Sequence, residues 1–156
     1  MSDTTLKDSL QSDLTTAIKG RDELTSATIR MVLTAVKSEE VAGKTARTLS
    51  DEEVLTVLQR EAKKRREAAE AFGGAGRAES AARENAELGV IERYLPTPLT
   101  EEELTALVED AVLVATGEGL TGMGAMGGVM NYLKPKVAGR ADGKRLSAAV
   151  RARLQA

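Results

Sequence analysis

Apolar residues in this chain recur at steps of three and four and nowhere in sustained alternation, which is the period of a helix and not of a strand. Leu6, Leu10, Leu14 and Ile18 form the first such row, and Gly20 can end it. A second segment carries Leu24, Ala27, Met31 and Ala35, with Ile29, Val32 and Val36 on an adjoining stripe, and stops near Gly43. Ser50 and Glu53 have the spacing of a capping box, in which hydroxyl and carboxylate satisfy reciprocal backbone amides. Val54, Leu55, Leu58, Ala62, Ala69 and Phe72 follow on that helix, which Gly73-Gly74 should close. A fourth helix runs from about Arg77 to Tyr94, with Ala81, Leu88, Ile91 and Leu95 on one side. Pro96-Thr97-Pro98 forbids its continuation, because proline lacks the amide and restricts the residue before it.

Beyond the prolines, Thr100 and Glu103 repeat the capping-box spacing and open a helix with Leu104, Leu107, Val108, Ala111, Val112 and Ala115 facing inward. Gly117 and Gly119 end it. A short helix follows, with Met123, Met126, Met130 and Leu133 as its apolar edge and Pro135 near its end. The last helix starts at Asp142, an N-cap residue, and uses Leu146, Val150 and Leu154. The expected fold is therefore all-α: a four-helix N-terminal bundle over residues 1–95, a proline-containing linker over 96–100 and a three-helix C-terminal domain over 101–156. Composition agrees, since aromatics make up only 2% of the 156 residues while Ala occurs 24 times, which suits helices in close contact better than a β-sandwich.

The same composition removes most hydrolytic chemistry. With no Cys and no His, the chain has no disulfide, no thiolate or imidazole metal ligand and no Ser-His-Asp triad. No apolar run is long enough to span a bilayer, and the polar stretch from Met1 to Asp13 is unlike the apolar core of a signal peptide, so a cytoplasmic protein without a membrane partner is expected. Gly122-Met123-Gly124-Ala125-Met126-Gly127 has the letters of a dinucleotide fingerprint, but a helix precedes it where that motif needs a strand. Gly139 to Arg145 has three residues between its glycines where a phosphate loop has four, and Arg145 stands where a hydroxyl would bind Mg²⁺. Glu101, Glu102 and Glu103 fan out around one helix turn and suit its dipole, so no metal or other cofactor is expected.

Two charge features remain. Between Glu101 and Glu118 there are six acids and no base, whereas Lys134 to Arg153 holds seven bases against the single acid Asp142. Lys134, Lys136, Arg140, Lys144, Arg145, Arg151 and Arg153 are the candidate contacts to a polyanion, unless the acidic and basic helices pack together and cancel. Arg60, Lys63, Lys64, Arg65 and Arg66 form a second basic cluster, diluted by Glu61, Glu67 and Glu70. Within it, Arg65 falls on the seam of Leu58, Ala62, Ala69 and Phe72. A guanidinium there needs a partner, and folding helix four back across the glycine turn puts Glu84 or Glu87 opposite it. The alternative is that its stem packs while its head snorkels outward.

These residues resemble the GatB/YqeY-like family over nearly the whole chain. The marks are Ile29-Arg30-Met31, Phe72 with Ala75-Gly76-Arg77, Glu87 leading to Ile91, Tyr94-Leu95-Pro96, Leu99 with Glu102-Glu103-Leu104, Met123-Gly124, Met130, Pro135-Lys136-Val137 and Gly139-Arg140-Ala141-Asp142-Gly143. Asn131-Tyr132-Leu133 departs from the usual pattern as a short extension before Pro135. The resemblance implies a stand-alone relative of the C-terminal helical and tail regions of the B subunit of a glutamine-dependent tRNA amidotransferase, regions that help to hold tRNA. The implied partners are tRNA or another folded RNA, together with amidotransferase or aminoacylation subunits; no DNA partner is expected. Carbon-nitrogen ligation with glutamine as amide donor would require a partner that supplies the catalytic groups. A protein-interaction adaptor working through the acidic helix or the methionine edge is the other reading. Backbone contacts should outweigh base reading, since only Phe72, Tyr94 and Tyr132 could stack on a base. Tyr94 is better explained by packing at the domain junction, which leaves Tyr132 as the stacking candidate.

Overall fold

The computed structural model describes residues 3–156, and among them there are seven α-helices and no strand. They fall into two compact units, Met1–Leu95 and Pro96–Ala156. The first contains α1 (Leu6–Lys19), α2 (Glu23–Glu40), α3 (Asp51–Gly74) and α4 (Ala78–Glu92). The second contains α5 (Glu101–Gly117), a 3-10 turn (Gly122–Ala125), α6 (Met126–Val137) and α7 (Gly143–Leu154).

Side-chain caps set the helix starts. Ser50 accepts from the Glu53 amide at 3.2 Å while the Glu53 carboxylate accepts from the Ser50 amide at 3.2 Å, and Thr100 and Glu103 do the same for α5. Thr5 and Asp8 make a third reciprocal cap on α1, and Asp22 and Asp142 cap α2 and α7. Arg47 adds an ion pair to Glu53, so that carboxyl lies below its ordinary value, first through Arg47 and then through the Ser50 amide.

In the N-terminal unit, Leu10, Ile29, Val32, Val36, Val54, Val57, Leu58, Ala62, Val90 and Ile91 form the core, with Leu49 closing it from the loop before α3. The deepest face of α2 is the stripe of Ile29, Val32 and Val36, while Met31 sits at the rim. Ile18, expected inward, is exposed, because Ala17 takes the buried position in the last turn of α1. Glu40 ends α2 and is itself buried. Its carboxylate receives Lys7 Nζ at 2.9 and 3.0 Å and the Leu49 amide at 3.1 Å, while its carbonyl accepts the Arg47 amide at 3.0 Å. One residue thus ties α1, α2 and the entry to α3, and closes the exposed loop of residues 41–48 at its base. Tyr94 packs on the same core and its hydroxyl donates to Asp13 of α1, a contact within this unit. Burial first, then the Asp13 carboxylate, raises the pKa of that phenol.

In the C-terminal unit the core is Leu104, Val108, Ala111, Ala115, Ala125, Val129, Leu133, Val137, Leu146 and Val150, joined by Leu99. Within the proline-containing segment 96–100, Leu99 is buried in this unit and its amide donates to the Arg140 carbonyl at 2.8 Å. Of the expected apolar edge, Leu133 is in the core and Met126 and Met130 pack against it, while Met123 does not. Met123 is spent in the 3-10 turn and exposed, Met126 and Met130 flank, and Val129, Leu133 and Val137 carry the buried side of α6. Ala138 then ends α6 in the left-handed region at φ 48°, followed by Gly139 at φ 81°.

Candidate functional site

The seven bases of the C-terminal unit lie on α6, α7 and the loop between them, and they divide into two groups. Lys134 and Lys136 occupy the last turn of α6, and Lys144 and Arg151 stand seven residues apart on α7, sharing one face with the exposed Ala148. These four are exposed, and none has a carboxylate partner among the described residues. Lys136 lies over the ring of the half-buried Tyr132, its Nζ 4.8 Å from the centroid. One face of that ring is therefore already covered, which limits Tyr132 as a platform for a base.

Arg140, Arg145 and Arg153 are each paired with a carboxylate of α5, the cancelling arrangement that the sequence left open. Arg140 donates through Nε to the Thr97 carbonyl at 2.8 Å and through Nη2 to Glu103 at 3.0 Å. Arg145 donates through Nη1 to the Leu99 carbonyl at 2.8 Å and through Nη2 to Glu101 at 2.8 Å. Arg153 pairs with Glu109 of α5, which raises its pKa. The fold lays these three arginines against Glu103, Glu101 and Glu109 of α5, so opposite charges far apart in sequence meet. Glu103 serves two partners, the Thr100 amide and then Arg140, and both hold its carboxyl below the ordinary range.

The second basic cluster is also largely cross-linked. Arg60 reaches Glu39 of α2 at 3.5 Å and Lys64 reaches Glu61 at 3.4 Å. Arg65 is only 8% exposed. Its Nη1 lies 3.2 Å from the Glu61 carboxylate and 3.3 Å from the Glu61 carbonyl, its Nη2 faces Met31 Sδ at 3.6 Å, and its Nε lies 3.6 Å from Glu87 of α4 without a hydrogen-bond partner. Glu87 also receives Arg83 at 3.2 Å. Arg65 thus takes Glu87 and not Glu84; Glu84 instead lines a shallow depression of about 340 Å³ with Phe72, Glu79, Ser80 and Arg83. The extra partner Glu61, one turn before Arg65 on its own helix, was open to sequence reasoning as an i, i+4 pair and was missed.

The geometry offers a helical scaffold with a few unneutralised cations, and the chain as a whole decides its kinship: residues 7–154 match the YqeY-like protein family. The chain belongs to that family. No curated protein matches it. For this YqeY-like chain the match spans both compact units, so neither is an unrelated addition. No helix among the described residues is long and apolar enough to cross a membrane.

Proposed function

We propose that this YqeY-like protein acts in the cytoplasm as an accessory RNA-binding protein, related to the tail of the tRNA-dependent amidotransferase B subunit, and holds tRNA or another folded RNA by its phosphate backbone. The observation that carries the reading is the set of exposed, carboxylate-free bases Lys134, Lys136, Lys144 and Arg151 in one small unit of an otherwise acidic chain. The scarcity of aromatic side chains supports backbone contact over base reading. Four phosphate contacts at about 0.7–0.9 each give a slope near −3 for the logarithm of affinity against the logarithm of salt. Reversing all four bases to Glu abolishes binding of a mixed tRNA pool while far-UV circular dichroism stays unchanged; affinity equal to the unaltered protein's refutes the assignment. Amide-forming chemistry enters only if a partner supplies the nucleophile, as in a glutamine-dependent carbon-nitrogen ligase complex.

A second reading, the protein-interaction adaptor, is favoured by one observation. Leu113 on α5 is 69% exposed, and Val114 and Met123 are exposed as well. Co-purification that returns amidotransferase or aminoacylation subunits and is lost in Leu113→Ser/Val114→Ser, with no RNA recovered, supports this reading over the first.

A further inference from the structure

Arg145 is held by two unlike acceptors. Its Nη1 is fixed by the Leu99 carbonyl at 2.8 Å, and its own amide is fixed by the Asp142 cap at 2.7 Å, so the side chain is positioned from within the fold. Its Nη2 meets only Glu101 at 2.8 Å, and the Glu101 side chain is 84% exposed, with no second partner among the described residues. A pair of this kind is worth about 0–1 kcal/mol, because water screens it and both side chains lose freedom in making it. Phosphate oxygens accept from a guanidinium edge in much the same geometry as carboxylate oxygens do, with comparable or greater charge.

The other two arginines lack this combination. Arg140 has a carbonyl anchor, but its outer acceptor Glu103 also caps α5 through the Thr100 amide at 3.2 Å, so moving it would uncap the helix. Arg153 meets an ordinary exposed carboxylate, Glu109, with no carbonyl anchor to hold the guanidinium once that carboxylate leaves. Of these three arginines, Arg145 is the one both fixed from within and closed from without by a removable group.

We propose that Glu101 is a stand-in for an RNA phosphate: it occupies the outer edge of Arg145 in the free protein and is displaced when a phosphodiester oxygen takes its place at Nη2. The proposal rests on the RNA-binding reading above and adds a fifth contact that the free structure conceals. Glu102, in the same helical turn and exposed without an ion pair among the described residues, is the control for simple loss of negative charge.

The test measures binding of a fluorescein-labelled mixed tRNA pool by anisotropy, over a range of salt, to the unaltered protein, Glu101→Gln, Glu102→Gln, Arg145→Gln and the double variant Glu101→Gln/Arg145→Gln, with helicity followed by circular dichroism. Glu101→Gln binds up to about fivefold tighter than Glu102→Gln, as expected for removing a competitor worth at most about 1 kcal/mol. Arg145→Gln lowers the salt slope by about 0.7–0.9, and the gain from Glu101→Gln disappears in the double variant. Equal gains from Glu101→Gln and Glu102→Gln overturn the stand-in role and leave the RNA reading intact. Absence of tRNA binding by every protein in the series at low salt overturns both.

Discussion

Replacing Arg65 by Met removes a charge from the seam between α3 and α4 while keeping a stem of similar length. The buried carboxylates of Glu61 and Glu87 are then left facing that seam. Breaking a buried ion pair from one side costs about 3–5 kcal/mol, because the remaining charge stays desolvated. Here Glu61 keeps Lys64 at 3.4 Å and Glu87 keeps Arg83 at 3.2 Å, both bases being largely exposed. Neither carboxylate is fully orphaned, so the lower end, about 3 kcal/mol, applies. At about 4–8 °C per kcal/mol for a domain of this size, the melting temperature of the N-terminal unit falls by about 12–24 °C. The assay is thermal and urea denaturation followed by circular dichroism, since the chain has no Trp to report by fluorescence. The triple variant Glu61→Leu/Arg65→Met/Glu87→Leu removes all three charges and regains most of the loss, as apolar replacements of buried ion pairs do. A cost below about 1 kcal/mol for Arg65→Met, or a triple variant less stable than the single one, would refute the view that this network is a desolvated charge cluster.

Two further outcomes follow from the same geometry. The carboxyls of Glu40, Glu53 and Glu103 all lie below their ordinary value of 4.5, so the folded state binds their protons less readily than the unfolded chain. Their contribution is complete above that value and is lost as pH falls through the lower folded values; chemical denaturation between neutral and acid pH measures it, and Glu40→Gln, whose amide cannot titrate, should flatten the curve. Ala138 holds φ 48° at the end of α6, where a Cβ costs about 1–2 kcal/mol, partly offset by the extra freedom glycine gives the unfolded chain. Ala138→Gly therefore stabilises the C-terminal unit by about 0.5–1 kcal/mol in thermal melts; a destabilised variant would show that the αL position is not strained.

What the sequence made legible was local. Ser50 with Glu53, Thr100 with Glu103, and Asp142 each announce a helix start by side-chain chemistry that acts within one turn, and the structure places α3, α5 and α7 immediately after them. Arg65 was recognisable because its spacing put a charge among Leu58, Ala62 and Ala69, all buried. What could not be read was the pairing of segments about forty residues apart, such as Glu101 with Arg145. A linear charge pattern shows an acidic stretch and a basic stretch but not whether packing brings them face to face, and here it does. Of the expected apolar edge, Met126, Met130 and Leu133 share one face of α6 and pack on the core, whereas Met123 falls in the 3-10 turn and is exposed.

Glu40 gathers Lys7, the Arg47 amide and the Leu49 amide at one point, so the eight exposed residues between α2 and the buried Leu49 form a ring whose neck is fixed independently of its contents. Backbone that carries neither burial nor a structural hydrogen bond can be lengthened at little cost. The stretch Gly43-Lys44-Thr45 is therefore a place to graft a fluorophore tag or an epitope, far in the chain from the C-terminal bases, and one where a protease would nick the protein without unlocking its core.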